Sequence, residues 1–191
     1  MIKILSHLEF QTDADDGMPR RMVGYIGRIV DAYDAPVDST VIYLRPQEIN
    51  DPGIYHYTFP TELTITYRVM KIWEMDGSAF LENPTSGLLP LTPLMQKPAE
   101  VTEQQWLRRC IQTIEASTTS EQERKELIAG TGILAGLVHD VNFVRNVISE
   151  EIMLQSSVVQ ELLKSEDVIR QSPVFQKLLE SEDVIRQSPV F

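Results

Sequence analysis

"IKILSHLEFQTDADDGMPRRMVGYIGRIVDAYDAPVDSTVIYLRP", residues 2–46, is the stretch whose reading decides the fold. It opens with an alternation. Ile2, Ile4, Leu8 and Phe10 fall on one side, and Lys3, Leu5, His7, Glu9 and Gln11 on the other. Period two is the period of a strand, so the pattern predicts a core face with Ile4, Leu8 and Phe10 and a partly polar face with Glu9 and Gln11. "TDADDG" reads as a turn. In "MPRRMVGYIGRIVDAY", Met22, Ile26, Ile29 and Tyr33 repeat at helical spacing with Val23 and Val30 beside them, and Pro19 suits a first helical turn. Arg21, Tyr25 and Arg28 line another side of that helix, and Gly24 and Gly27 are expected to let its backbone approach a sheet. "STVIYLRP" is short, apolar and β-branched, as a buried strand is. Strand, helix, strand in this order predicts a parallel pair.

Working outward, "IYHYTF" and "LTITYRVMKIWEM" read as two further strands joined near Pro60 as a hairpin. "ENPTSGLLPLTPLMQKP" contains four prolines and reads as an irregular connection. Helices follow. Thr102 with Gln105 and Ser120 with Glu123 have the capping-box spacing, and Asp140 reads as an N-cap. The end of the chain repeats: "SEDVIRQSPVF" occurs at 165–175 and again at 181–191, with a degenerate copy, "SEEIMLQSSVV", at 149–159. A repeat of 16 residues does not keep one stripe on a continuous helix. The tail is therefore expected to restart at each Ser-Pro, as at Ser172–Pro173, with one short amphipathic helix per copy.

The totals restrict the function. The chain has 191 residues, 42% of them hydrophobic, and a formal net charge of −11. Neither half is basic, so nucleic-acid binding requires a local patch acting against the mean field. The single cysteine, Cys110, excludes an internal disulfide and any multi-cysteine zinc site. No run reaches the ~18 apolar residues of a membrane span, and a cytoplasmic location is expected.

Two residue groups carry candidate chemistry. Glu9 and Gln11 share a strand face near its end; a carboxylate there is a Mg²⁺ ligand, and a group two residues on positions water or a phosphate oxygen. An ordinary polar strand face fits the same two residues. Arg20, Arg21 and Arg28 are the basic cluster of the first half, and Arg21, Tyr25 and Arg28 are placed to contact phosphate. A solvated helix face fits them as well. His7 shares the face of Glu9; His56 and His139 have no partner in sequence.

Taken in order, "HLEFQTDADDGMPRRMVGYIGRIVDAY…STVIYLRP" and "YRVMKIWEM…GLLPLTPLM" resemble a bacterial family found in cyanobacteria. It is the Rpn-type recombination-promoting nuclease and transposase family of the PD-(D/E)XK superfamily. The resemblance runs from residue 5 to about residue 155. It implies an α/β fold: an α+β mixed sheet of restriction-endonuclease type at 1–98, then a helical region at 99–148 and a helical repeat tail at 149–191. It implies Mg²⁺-dependent cleavage of DNA during recombination, with Glu9 as metal ligand, Glu9 and Gln11 as catalytic residues, and Arg21, Tyr25 and Arg28 on the DNA phosphates. That family places a helix and an aspartate-bearing strand before this point, whereas eight residues precede Glu9 here. The resemblance therefore implies an N-terminally incomplete core with impaired catalysis, unless Asp13, Asp15 or Asp16 replaces the aspartate. The alternative is a non-catalytic interaction protein that binds a protein partner, or itself, through its C-terminal repeats.

Overall fold

The structure is a computed structural model that describes residues 3–164 and residue 176. The chain forms two compact units, Met1–Trp73 and Glu74–Phe191. It is mixed α and β, with small sheets confined to the first unit. No described helix is long and apolar enough to cross a membrane.

The first unit begins β1 (Leu5–Gln11), α1 (Met18–Tyr33), β2 (Val37–Tyr43). As expected of the crossover, β1 and β2 are parallel, and Glu9 faces Val41 while Gln11 faces Tyr43. β3 (Ile54–Tyr57) and β4 (Leu63–Thr66) form the expected antiparallel hairpin. The second apolar run, read as one strand, is two. After Tyr67 the chain enters β5 (Arg68–Lys71), which leaves the hairpin and pairs in parallel with β2. The three-stranded sheet is ordered β1-β2-β5.

The break at Tyr67 has a physical cause. The Tyr67 ring is buried with Met18, Met22, Val41 and Tyr43, and its hydroxyl donates to Asp51 Oδ1 at 2.6 Å. The Tyr43 hydroxyl donates to the other Asp51 oxygen at 3.0 Å. One carboxylate thus ties the end of β2 to both strands of the hairpin at its root. Burial first, then the Asp51 bonds, raise the pKa of both phenols. Gly53 completes the root: its φ is 67°, and a Cβ there would stand 2.8 Å from the Tyr67 carbonyl.

One expectation is reversed. Ile4, Leu8 and Phe10 are 62%, 53% and 46% exposed, and the more buried side of β1 is the polar one with His7, Glu9 and Gln11. Alternation tells which residues share a face, but not which face is covered. Here α1 lies on the side of Val41 and Tyr43, where Met18 and Met22 are fully buried. A β-α-β connection has one hand in nearly all proteins, so it offers the helix one face. The helical stripe shifts for the same reason: it runs Met18, Met22, Tyr25, and Tyr33 and Val30 are exposed. Gly24 and Gly27 do not serve a close approach to the sheet. A Cβ at Gly24 would meet the Arg28 guanidinium at 3.3 Å, and one at Gly27 would meet nothing within 4 Å.

The second unit starts earlier than the expected boundary at 98. α2 (Gly77–Glu82) and a 3-10 stretch (Ser86–Leu94) pack with α3 (Glu103–Ser117) and α4 (Glu121–Ala135). The proline-rich connection is thus ordered. Leu89 is buried in the helical core, and the buried Trp106 donates through Nε1 to the Thr92 carbonyl at 3.2 Å. Thr102 and Gln105 form the full capping box, and Ser120 and Asp140 cap as expected. Leu107 and Ile114 are completely buried, each worth about 1.5–3 kcal/mol relative to exposure. Cys110 is also buried, which pushes its thiol up to about 11 and argues against a nucleophile.

α5 (Val141–Arg145), α6 (Glu150–Leu154) and α7 (Ser157–Leu162) follow. The first tail copy is therefore two short helices, not one. Ser156 caps α7 by accepting from the Val159 N–H at 3.2 Å. The break expected at Ser172–Pro173 lies outside the described residues.

Isolated helices this short are unstable in water, and α7 is held by Glu126 of α4. That carboxylate accepts from both the Ser156 and Ser157 hydroxyls, and from the Ser157 N–H at 2.8 Å. Burial opposes its ionisation, but these bonds outweigh burial and hold its pKa down at about 2. A depressed carboxylate stabilises fully above its ordinary pKa and loses that contribution as pH falls through the folded value. Amide exchange in α7 should therefore accelerate as pH drops from about 4.5 to about 2, beyond the intrinsic chemical dependence. Glu126→Ala should show the fast exchange already at pH 6, and unchanged protection in that variant would contradict the account.

Candidate functional site

The site forms where the end of β1 meets the first two turns of α1. Period-two geometry sets Glu9 and Gln11 on one face, and they touch: Gln11 Nε2 donates to Glu9 Oε1 at 2.7 Å. One helical residue reaches the pair. Arg21 Nη2 donates to Glu9 Oε1 at 2.9 Å and to the Tyr25 hydroxyl at 3.1 Å, while Nη1 donates to Asp15 Oδ2 at 2.8 Å. The guanidinium lies between two carboxylates. The hydrogen bonds with Tyr25 and then Asp15, followed by the field of Glu9, raise its pKa further. The Arg21 bond is also the largest cause of the lowered Asp15 pKa, and the Gly17 N–H is the next.

The loop before α1 is held in place for this. Asp15 Oδ1 accepts the Gly17 N–H at 2.8 Å, closing an Asx turn at the start of the helix. Gln47 clasps the same loop, accepting from the Ala14 N–H at 2.9 Å and donating to the Thr12 carbonyl at 2.8 Å. Asp13 points elsewhere and pairs with Arg45 at 3.6 Å.

Tyr25 is the hub of the other residues. The Arg28 guanidinium lies 5.3 Å from its ring centroid and that of Arg21 5.8 Å, within the range of cation–π attraction. The His7 ring meets its edge at 5.5 Å. His7 Nδ1 and Ser39 Oγ are buried without a hydrogen-bond partner among the described residues. They occupy opposed positions on β1 and β2. Outside the cluster, His56 bonds Thr64 at 2.7 Å. His139 stacks on Phe143, and burial lowers its pKa.

A groove of about 500 Å³ runs along the outer side of the helix, lined by Gly17, Arg20, Arg21, Gly24, Tyr25 and Arg28. The residues expected at the site are therefore together. Arg21 was read as a phosphate contact, but its charge is committed to two carboxylates. Arg20 and Arg28 are the arginines left to meet an anion in the groove.

The donor set does not fit Mg²⁺. That ion needs near-octahedral oxygen ligands, and Glu9 Oε1 already accepts from Gln11 and Arg21. Asp15, the acid nearest to a second ligand, grips the other side of the same guanidinium. No group of three or more His, Cys, Asp or Glu side chains suited to a metal exists among the described residues. Glu9, which the resemblance implies as a Mg²⁺ ligand, is paired here with the Arg21 guanidinium.

Sequence reading missed Gln47 and the Asp51 clamp, and it named Asp15 as a substitute metal ligand rather than as a partner of Arg21. "DDG" at 15–17 did hold the signal of an Asx turn. Gln47 and Asp51 act across folds of the chain that no local pattern reports.

The Glu9–Arg21 pair is part-buried, so its coupling should lie near 0.5–1 kcal/mol, the upper part of the range for accessible pairs. Glu9→Gln, Arg21→Gln and the double substitution form the cycle that measures it, with native-state exchange of the β1 and β2 amides as the stability readout. Strictly additive effects would show that the pair is not energetically linked.

Compared with family models, with curated proteins and with solved structures, the sequence gives no significant match.

Proposed function

We propose that this chain is a DNA-binding protein built on a restriction-endonuclease-like core whose metal position is filled by Arg21. It binds the nucleic-acid backbone without cutting it. The observation that carries the reading is the guanidinium bridging Glu9 and Asp15. In a metal-dependent nuclease, paired carboxylates hold Mg²⁺ against the scissile phosphate. Here one arginine supplies the compensating charge, and it supplies no activated water. The arginine groove supports a backbone contact: Arg20 and Arg28 flank it, and each contact releases counterions from the phosphates. Binding is expected to be weak, on the order of 10⁻⁵ M, because it is non-specific in kind and works against an acidic chain.

An endonuclease with intact Mg²⁺-dependent catalysis, unlike the impaired core that the resemblance implies, makes the opposite forecast, so one assay separates it from this reading. Supercoiled plasmid should show no more nicking with Mg²⁺ than with EDTA, while a labelled duplex is retained in both buffers. Arg28→Ala should weaken retention and reduce the salt slope by about one. Mg²⁺-dependent nicking that Glu9→Ala stops would reinstate the metal reading and overturn this one.

A second reading rests on the helical unit. Met153, Ser156 and Val159 of the first tail copy, and Leu163 just after it, are buried. The same positions carry Ile169, Ser172, Phe175 and Leu179 in the second. A motif repeated in its buried positions is one that docks on protein surface, supplied by this chain, another copy or a partner. Sedimentation velocity tests the second-copy version: concentration-dependent growth should be lost when the chain is ended at Lys164.

A further inference from the structure

The β3–β4 hairpin presents exposed aromatic side chains. Its paired residues Tyr55–Ile65 and Tyr57–Leu63 share one face, and His56–Thr64 lies on the other. Tyr55 and Tyr57 meet edge to face at 5.9 Å. Tyr57 is 39% exposed, and Phe59, in the connection between the strands, is 86% exposed, the highest value among the large hydrophobic side chains of the described residues. Between Ile54 and Thr66 there is one acid, Glu62, and no lysine or arginine.

We propose that this hairpin is a stacking finger for unpaired nucleic-acid bases, with Phe59 and Tyr57 as the platforms. The inference rests on the DNA-binding reading above and adds a preference to it: single-stranded over duplex. Four observations carry it. An aromatic ring held in water at the end of a two-stranded ribbon is the kind of platform that base stacking uses, and stacking is indifferent to sequence. The ribbon lacks cationic side chains, so it contributes ring faces and leaves phosphates to another surface. That surface lies in the same unit: α1, which bears the arginine groove, contacts β3, and the Asp51 clamp ties the hairpin root to Tyr43, opposite Gln11 of the site. Four residues of strand reach about 14 Å, the rise of roughly four stacked nucleotides. Finally, the exposed patch is the size of one or two bases. A stable protein interface buries about 800 Å² on each partner, far more than one phenylalanine and one partly covered tyrosine provide.

The experiment measures anisotropy of three labelled ligands of equal length with the full chain in EDTA: oligo-dT, a duplex, and an abasic deoxyribose-phosphate strand. Wild type should bind oligo-dT most tightly. Phe59→Ala should weaken oligo-dT about ten-fold, leave the abasic strand unchanged and keep the salt slope; Phe59→Trp should retain oligo-dT and show quenching of its indole. At this exposure neither substitution threatens folding. Equal binding of oligo-dT and the abasic strand, or an unaffected Phe59→Ala, would overturn the finger while leaving DNA binding in place. Failure of wild type to bind any of the three would overturn the DNA-binding reading itself. A Phe59→Ala variant that changes only the sedimentation coefficient would overturn the finger in favour of a protein contact.

Discussion

Strand β2 is paired in parallel on both sides, and the register of those two ladders sets which side chains of the first unit meet. It aligns Gln11 with Tyr43 and His7 with Ser39, and it places Glu9, Val41 and Val69 in one row. Because α1 covers this row, Glu9 and Gln11 lie beneath the first turns of a helix that begins with arginines. A slip of one residue would exchange the faces. Tyr43 would then leave Asp51, the hairpin would lose its root, and Glu9 would turn away from Arg21. The site, the clamp and the ribbon therefore depend on a single alignment of backbone.

Beside the apolar cluster at the centre of that alignment, the edge strand contributes an ion pair. Glu9, Asp15 and Tyr25 accept three hydrogen bonds from the two terminal nitrogens of the part-buried guanidinium. Planarity matters: the fork reaches across the strand end and the loop at once, which a lysine does not do. The same residue also packs over Tyr25, so its charge and its flat surface are both used.

Much of this was legible in the sequence. The β-α-β order, the hairpin, the caps at Thr102, Ser120 and Asp140, and the neighbourhood of Glu9, Gln11 and Arg21 all followed from periodicity and local chemistry. The covered face of β1 did not follow, since alternation is symmetric between faces and β2 is apolar on both. The division of the run after Pro60 was hidden because Tyr67 is a good strand residue; a distant acid, Asp51, makes it a corner. The role of Arg21 was obscured by its second partner, Asp15, which belongs to a loop whose shape is fixed by Gln47 from beyond the next strand. Local pattern gave the elements, and long-range hydrogen bonds gave their use.

The uncovered side of β1 bears on how the protein behaves in concentrated solution. Leu8 and Phe10, with Ile4 just before them, are exposed on a strand whose outer edge has no pairing partner among the described residues. An apolar face beside free backbone N–H and C=O groups is a template for pairing with other chains. Lys3 at its start is the nearest gatekeeping charge. Colloidal protection must then come from the acidic surface as a whole, whose net charge of −11 keeps molecules apart at neutral pH. The sequence pI is about 4.7, so mild acid removes that repulsion while the apolar row remains. High salt screens it in the same way. Association of folded molecules through this row is therefore the expected response to mild acid or high salt.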